Sequence, residues 1–345
     1  MLSVAIDAEH TRQSAAGIAR YARGLTLALR QRGDLRVIEL GGGEVIPRDS
    51  VRKKIVTARQ DFLWYPWRAR AGAQKAHADI YHCPLPRGPL TRGRPPFVVT
   101  VHDLAQVHFP ETTTRWSRIY AAVTLRRVVQ AADRIIVPSQ DTAGDLTATL
   151  DISPERIRVV RLGVDPVFLQ PADPRPSVAT PYVLFVGTPE PRKNLPRLIE
   201  AVTLLRKRGF TERLVIAGAG GWGGQSLDAE NVERVGRVPD QQLASLYAHA
   251  SCLALPSLHE GFGLPAIEAM ACGAPVVAGR SGALPEITGG AAVLVDPLSP
   301  TSIADGMAEA IEARESLVAR GRAHAATFSW ERTAAETVTV YRELT

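Results

Sequence analysis

The chain has 345 residues, 45% of them hydrophobic, and its 41 Lys and Arg against 35 Asp and Glu give a formal net charge of +6. This length predicts two domains of about 100–200 residues each. The absence of a run of about 18 apolar residues, or of an apolar leader, predicts a cytoplasmic protein. The basic balance favours anionic partners, but no nucleic-acid-binding signature is present, so nucleic acid is not a predicted partner.

Short β-branched runs alternate with helical patterns at 17–31 and 114–131 in the first half of the chain. This alternation predicts a parallel sheet with helices on both faces. Four prolines in the segment 168–181 predict an interdomain linker, after which the alternation restarts. The predicted strands are LSVAID, LRVIEL, DIYHC, PFVVTVHD, RIIVPS and IRVVRLG, and then YVLFVG, RLVIAG, VERVG, SCLALPS, APVVAG and AAVLVDP.

The sequence therefore predicts an α/β protein of two doubly wound, Rossmann-like domains that face each other across a cleft. We expect an N-terminal domain at 1–170, a C-terminal domain at 171–328, and a C-terminal helix at 329–345 that packs back on the first domain. Ligands of such sheets bind beyond the carboxyl ends of the strands. The loops that follow the predicted strands are thus the places to search for a site.

Three cysteines, Cys83, Cys252 and Cys272, are scattered and have no metal-ligand spacing, so we predict buried free thiols. The sequence also lacks a P-loop and an Asp-x-Asp pair. We therefore expect chemistry that needs no metal and no cofactor.

The run EGFGLPAIE at 260–268 combines features of an anion site. Glu260 falls in the loop after the strand SCLALPS, and Pro265 suits the first turn of a helix that Gly273 ends. Gly261 and Gly263 permit close approach of the backbone to a ligand, and the amides at the helix start favour a phosphate. We predict a phosphate between two carboxylates, Glu260 and Glu268. The alternative is that Glu268 only solvates its helix and the glycines only turn the chain.

The longer run HEGFGLPAIEAMACGAPVVAGRSGALPEITGGAAVLVDP closely resembles the donor-binding segment of glycosyltransferase family 4. The likeness extends to IDAEHTRQSAAGIARYARGL, VHDLAQVHFPE, SQDTAGDLTATLDISPERIRVVRLGVDPVF and VGTPEPRKNLPRLIEA, and so covers nearly the whole chain. The resemblance implies a retaining enzyme with the two-domain GT-B fold. It also implies that Glu260 contacts hydroxyls of the donor sugar and that Glu268 holds the ribose, which suits carboxylates as acceptors for paired hydroxyls.

The same resemblance implies further residues that bind the donor's diphosphate. Lys193 is expected to meet the pyrophosphate. The family commonly has an arginine directly after the glycine that ends the first strand of the second domain, whereas here Thr188 follows Gly187. Arg192 could supply the missing charge or be a solvated surface residue, and Thr188 could donate a hydrogen bond. The complete predicted donor set is Gly17, Gly187, Thr188, Arg192, Lys193, Glu260, Phe262, Gly263, Leu264 and Glu268.

Two of the predicted residues lie in the first half, Gly17 and His102. Gly17 begins a helical pattern, so its amide could face the diphosphate or the glycine could simply start the helix. His102 of VHDL is placed at a strand end and matches a histidine of the family, so we predict that it serves catalysis together with Lys193 and Glu260. His82, also at a strand end, is expected to be structural.

The predicted function is transfer of a hexose, with retained configuration, from a nucleotide-diphosphate sugar to an acceptor hydroxyl. The resemblance favours GDP-mannose over UDP-glucose as the donor, because family members with a GIxRY start and a VHDL strand end often use mannose-type donors, whereas the residues themselves leave GDP, UDP and dTDP open. The predicted acceptor is a glycan, a glycolipid or a small molecule, in cell-surface glycan synthesis. The departing phosphate could accept the acceptor's proton. The alternatives are another GT-B enzyme, such as a nucleotide-sugar epimerase or phosphorylase, and a non-catalytic nucleotide-sugar-binding protein.

Segment 51–75 has seven Lys or Arg against one acid, Asp61, and it contains the aromatic residues Phe62, Trp64, Tyr65 and Trp67. This composition suits an anionic bilayer or a lipid acceptor at the inner face of the membrane, and the residues predicted to serve it are Arg52, Lys53, Lys54, Trp64 and Trp67. The alternative is that the aromatics pack on the first domain and that the charges are ordinary surface, with Pro66 interrupting any helix.

Overall fold

The computed structural model describes residues 1–8, 17–41, 59–109, 121–170, 178–179, 181–219 and 230–345. The chain divides into two compact units. The first comprises Met1–His108, Thr113–Gly163 and Trp330–Thr345, and the second comprises Phe109–Thr112 and Val164–Ser329. The last helix therefore groups with the first unit, and the chain passes into the second unit after Gly163.

Each unit contains a six-stranded parallel sheet, and all twelve predicted strands are present. The order in the first sheet is β2-β1-β3-β4-β5-β6, and in the second it is β12-β11-β10-β7-β8-β9. The strands are β1 Leu2–Asp7, β2 Leu35–Leu40, β3 Ile80–Cys83, β4 Phe97–Thr100, β5 Arg134–Val137, β6 Ile157–Val159, β7 Tyr182–Val186, β8 Arg213–Ala217, β9 Val232–Gly236, β10 Cys252–Leu255, β11 Val276–Gly279 and β12 Val293–Val295.

Helices cover these sheets, and the first of them, Gly17–Gln31, has the predicted bounds. Central strands such as β3, β4, β10 and β11 are buried along their whole length, because helices on both faces exclude water. The helices of the described residues are α1 Gly17–Gln31, α2 Ala69–Lys75, α3 Ala105–His108, α4 Arg126–Ala131, α5 Gln140–Leu150, α6 Leu195–Lys207, α7 Asp240–His249, α8 Leu264–Cys272, α9 Leu284–Thr288, α10 Pro300–Glu312, α11 Arg314–Ala325 and α12 Trp330–Arg342.

Helix α12 is fastened to the first unit by buried aromatic and polar contacts. The Tyr341 hydroxyl lies 2.6 Å from His82 Nδ1, and His82 Nε2 lies 2.9 Å from Thr100 Oγ1. The Trp330 ring occupies the space over Gly24 of α1, where a Cβ atom would collide with it. His82 is thus a buried structural residue, as expected, and burial lowers its pKa to about 3, with the neighbouring His102 adding to the effect.

Segment 60–68 is a π-helix that contains Pro66, so the expectation that Pro66 interrupts any helix is wrong. Pro66 has no backbone N–H to donate, yet the helix continues through it to Arg68. The second unit also contains the 3₁₀ turns Pro166–Phe168 and Pro191–Lys193. No helix in the described part of the chain is both long and apolar enough to cross a membrane.

Cys83, Cys252 and Cys272 are buried free thiols, which confirms the prediction. Burial raises the pKa of Cys252 to about 12, so this thiol stays protonated and packs as a small apolar group. Within the described residues, no group of three or more His, Cys, Asp or Glu side chains could hold a metal ion.

Candidate active site

The carboxyl ends of the neighbouring strands β7 and β10 bring two predicted loops together in the second unit. The amide of Leu258, after β10, donates to the Arg192 carbonyl at 2.7 Å. Asn194 strengthens this link, because its side chain donates to the carbonyl of Pro256 at 3.0 Å. Residues 191–194 and 256–258 therefore form one fixed surface beyond the sheet.

Gly187 ends β7 at a point where backbones nearly touch. Its φ is +150°, and the φ of Gly218, after β8, is +158°. A Cβ atom on Gly218 would collide with the Gly187 carbonyl oxygen. A Cβ atom on Gly187 would make only ordinary contacts, but the positive φ of this residue disfavours any side chain. The backbone after β7 can therefore be approached closely by a ligand. Thr188 follows and is half-buried.

Glu260 is the centre of a compact charged cluster. Its Oε1 atom accepts from Lys193 Nζ at 2.5 Å and from Ser257 Oγ at 2.8 Å, and its Oε2 atom accepts from Arg192 Nη1 at 3.3 Å. The Glu260 backbone is held as well, because its carbonyl accepts from the Ala283 amide at 2.9 Å. The sequence predicted Lys193 and Glu260 as separate ligand contacts, and the structure joins them as an ion pair.

The pKa of Glu260 reflects this environment. Burial alone would raise its pKa, but the charges of Lys193 and Arg192 and the hydrogen bonds from Lys193 and Ser257 outweigh burial and lower the pKa to about 2. Glu260 is therefore an ionised acceptor at neutral pH and has no proton to donate as a general acid.

Arg192 is not a solvated surface residue, so that alternative is wrong. Its side chain is only 15% exposed, and it donates to Glu190 at 2.9 Å and to the His259 carbonyl at 3.2 Å in addition to Glu260. The sequence could not indicate the contacts with His259 and Glu260, because these residues lie 67 and 68 positions away in the chain. Arg192 places a second positive charge beside Lys193.

Helix α8 begins and ends as the sequence predicts. Gly263 precedes it with φ +92°, Pro265 is in its first turn, and Gly273 follows its last residue with φ +83°. Phe262 and Leu264 are buried, and the Phe262 ring packs edge-on against Phe328 at 6.0 Å. Any ligand contact from Phe262 or Leu264 would thus come from the backbone.

Glu268 does not solvate its helix, because it is only 3% exposed. The hydroxyl of Tyr247, in α7, donates to Glu268 Oε2 at 2.9 Å. Sequence reasoning missed Tyr247 and Ser257. The position of Ser257, three residues before Glu260, is a weak indication that it belongs to the site. Nothing in the sequence pattern of α7 connects Tyr247 with Glu268.

The two predicted site residues of the first unit, Gly17 and His102, lie in different surroundings. Gly17 is the exposed first residue of α1, and residues 9–16 lie outside the described part of the chain. β4 ends at Thr100, so His102 follows the strand by two residues instead of ending it. His102 Nε2 lies 3.0 Å from the Pro84 carbonyl, so Nε2 carries a proton and Nδ1 is left as an acceptor. Burial lowers the pKa of His102, although the Pro84 carbonyl and Asp103 oppose the shift.

Two family models match the chain, one for each half. The model described as Glycosyltransferase Family 4 matches residues 15–168, and the model described as Glycosyl transferases group 1 matches residues 180–313. An O-antigen chain mannosyltransferase B of Escherichia coli is 32% identical over 302 residues, which cover 80% of this chain and 78% of the relative. The chain belongs to glycosyltransferase family 4.

A second family 4 relative, a D-inositol 3-phosphate glycosyltransferase of Corynebacterium glutamicum, is 29% identical over 99% of this chain and 87% of its own length. Among solved structures, sucrose-phosphate synthase of Thermosynechococcus elongatus matches with a TM-score of 0.72 and 21% identity, over 100% of this chain and 99% of that one. The fold is therefore GT-B, and the chain is a glycosyltransferase, which sets aside the epimerase, phosphorylase and non-catalytic alternatives.

The lowered pKa of Glu260 predicts a pH-dependent effect of Lys193→Met. An ionised carboxylate with a depressed pKa stabilises the folded state above its unfolded pKa of about 4.3, and this contribution is lost as pH falls toward the folded pKa. Without Lys193, we expect the unfolding free energy to fall by about 2–3 kcal/mol at pH 7 and by progressively less from about pH 5 downward.

Urea unfolding of the wild type and of Lys193→Met between pH 3 and pH 8 measures this difference. Lys207→Met is the matched control, because Lys207 is an exposed lysine at the end of α6 in the same unit. A deficit of Lys193→Met that stays constant across the whole range would contradict the ion-pair explanation.

Proposed function

We propose that this glycosyltransferase retains the configuration of the sugar that it transfers and that the Glu260 cluster binds the nucleotide-diphosphate sugar. The observation that carries the proposal is the placement of two cations, Lys193 and Arg192, on one buried carboxylate beyond the carboxyl ends of β7 and β10. A diphosphate requires cations that are already in place, and a sugar hydroxyl requires an acceptor such as Glu260.

Each group of the cluster has a definite task in this proposal. Lys193 and Arg192 neutralise the diphosphate, so that Arg192 takes over from the arginine that Thr188 replaces. Glu260 accepts from the donor sugar's hydroxyls, and Glu268 accepts from the ribose hydroxyls. Gly187 and Gly263 allow the diphosphate to approach the backbone, and the first amides of α8 add their dipoles.

The chemical step needs stabilisation of the departing diphosphate, since negative charge develops on its bridging oxygen as the glycosidic bond breaks. Lys193 meets that charge, and the departing phosphate accepts the proton of the attacking hydroxyl. Glu260, being ionised, orients the sugar and stabilises positive charge at the reacting carbon. His102 of the first unit stays a prediction as a catalytic residue, with Nδ1 as an acceptor for a substrate hydroxyl.

For the donor we propose GDP-mannose, and for the acceptor a glycan or glycolipid of the cell surface. The O-antigen chain mannosyltransferase supports mannose as the transferred sugar and a glycan as the acceptor. The D-inositol 3-phosphate glycosyltransferase supports a small-molecule acceptor instead. The basic segment 51–75 favours the larger, membrane-associated acceptor.

Removal of the Lys193 charge tests the diphosphate role. Lys193→Met is expected to lower donor turnover at least about 100-fold, the size of effect that follows loss of one preorganised group at a developing anion. Release of nucleoside diphosphate from GDP-mannose, UDP-glucose and a dTDP-sugar is measured first with the wild type, and the best donor is then used for the variant.

Lys207→Met removes the same charge from an exposed position of the same unit and is expected to keep wild-type turnover. Turnover by Lys193→Met within a few-fold of the wild type would show that Lys193 serves only the fold. A wild type that prefers UDP-glucose or a dTDP-sugar would contradict the choice of GDP-mannose and leave the role of Lys193 intact.

We also propose that the π-helix of the first unit contacts an anionic membrane surface. Its outer face exposes three large apolar side chains, Phe62 at 58%, Leu63 at 48% and Trp67 at 65%. Arg59 and Arg68 are exposed at its two ends. Apolar insertion together with nearby Lys and Arg is the combination by which interfacial helices bind anionic bilayers. Arg52, Lys53 and Lys54 lie outside the described residues.

The inner face of this helix is anchored, and that anchoring corrects the assignment of Trp64. Trp64 is directed inward, because its indole Nε1 donates to Asp7 at 2.8 Å. Asp61, the acid of the basic segment, is buried and pairs with Arg87 at 2.6 Å. Tyr65 is buried as well. Only Phe62 and Trp67 of the four aromatics are therefore available to a bilayer.

Vesicle sedimentation tests the membrane proposal. The wild type is expected to sediment with anionic vesicles at 0.01 M salt and to be released at physiological salt, because the Debye length shrinks from about 30 Å to about 8 Å. Phe62→Ser combined with Trp67→Ser is expected to abolish sedimentation, whereas Leu298→Ser, which changes an equally exposed residue of the second unit, is expected to have no effect. A wild type that ignores anionic vesicles even at low salt would refute the membrane proposal and favour a small-molecule acceptor.

A further inference from the structure

Glu268 is held by a residue of a different helix, Tyr247. The two side chains are almost wholly removed from water, Tyr247 at 0% and Glu268 at 3% exposure. A carboxylate in such surroundings depends on hydrogen-bond donors that replace its lost hydration. The hydroxyl of Tyr247 supplies one of these donors, at Oε2.

Tyr247 is held in place by a contact of its ring and by the anchoring of its helix. Its ring packs edge-on against Phe168, with the ring centroids 5.9 Å apart. Phe168 also contacts the helix of Glu268, because the Cys272 thiol donates to the Phe168 carbonyl at 3.5 Å. Helix α7 is tied to β7 by a separate bond, from the Tyr182 hydroxyl to the Leu246 carbonyl at 2.7 Å. Tyr247, the hydrogen-bond donor, and Glu268, the hydrogen-bond acceptor, thus lie on separately anchored helices. Rotation of the Glu268 carboxylate would break a buried hydrogen bond.

We infer that Tyr247 is a positioning residue that fixes the plane in which Glu268 accepts the ribose hydroxyls, and that it thereby makes the site selective for ribonucleotides over deoxyribonucleotides. The inference rests on the proposed function, from which it takes the ribose role of Glu268. A fixed acceptor discriminates strongly, because an analogue without the hydroxyl leaves a buried polar group unsatisfied. A carboxylate that can rotate finds another donor and loses that discrimination.

The experiment compares affinities for GDP and UDP with those for 2′-deoxy-GDP and 2′-deoxy-UDP by titration calorimetry. The wild type is expected to bind the ribonucleotide about tenfold more tightly than its deoxy counterpart, the value of one buried hydrogen bond. In Tyr247→Phe, which keeps the ring against Phe168 and removes only the hydroxyl, this ratio is expected to fall to about twofold or less.

Tyr182→Phe is the matched control. It also removes a buried hydroxyl that anchors α7, but that hydroxyl does not contact Glu268. We expect Tyr182→Phe to keep the wild-type ratio even where it lowers thermal stability. Glu268→Ala is expected to weaken binding of the ribonucleotide and to abolish the ratio.

The outcomes separate the inference from the proposed function. If Glu268→Ala abolishes the ratio and Tyr247→Phe preserves it, the inference is overturned and the ribose role of Glu268 stands. If Glu268→Ala changes neither the affinity nor the ratio, the ribose role is wrong and the inference is overturned with it. Equal affinity of the wild type for both nucleotides also overturns the inference, whether or not any variant folds.

Discussion

The burial of the Glu260 carboxylate is the constraint on which the proposed donor site depends. An ionised carboxylate tolerates loss of water only when charges and hydrogen-bond donors replace its hydration. Lys193, Arg192 and Ser257 supply them from the loops that follow β7 and β10. The contacts that stabilise the buried Glu260 carboxylate therefore also hold two cations at a fixed place. Binding and departure of a diphosphate require cations that are preorganised in this way.

The backbone around Glu260 is as constrained as its side chain. Gly282, with φ +54°, lies so close that a Cβ atom there would be 2.7 Å from the Glu260 carbonyl oxygen and 2.8 Å from its amide nitrogen. Gly263, with φ +92°, packs against Leu284 in a similar way. Gly263 and Gly282 thus constrain the start of α8 and the backbone of Glu260, so a substitution at Gly282 would displace Glu260.

The fold and part of the site could be predicted because their signals are local. Runs of β-branched residues indicate the buried strands. Pro265 and Gly273 mark the start and the end of α8, because their backbone preferences act at the residue itself. The contacts that the sequence did not predict join residues that are distant along the chain. Arg192 and Tyr247 are bonded to residues 68 and 21 positions away, and no pattern along the chain encodes such pairs. The inward direction of Trp64 fails for the same reason, since its partner is Asp7. Pro66 lies inside a π-helix, which the presence of a proline in the sequence does not indicate.

A double-mutant cycle on donor turnover measures whether the ion pair makes Lys193 and Glu260 act together. Turnover of the best donor is measured in Lys193→Met, in Glu260→Gln and in the variant that carries both changes. If the two residues act as one unit, the double variant is no slower than the slower single variant. Losses that multiply in the double variant would show that Lys193 and Glu260 contribute independently and would refute joint action through the ion pair.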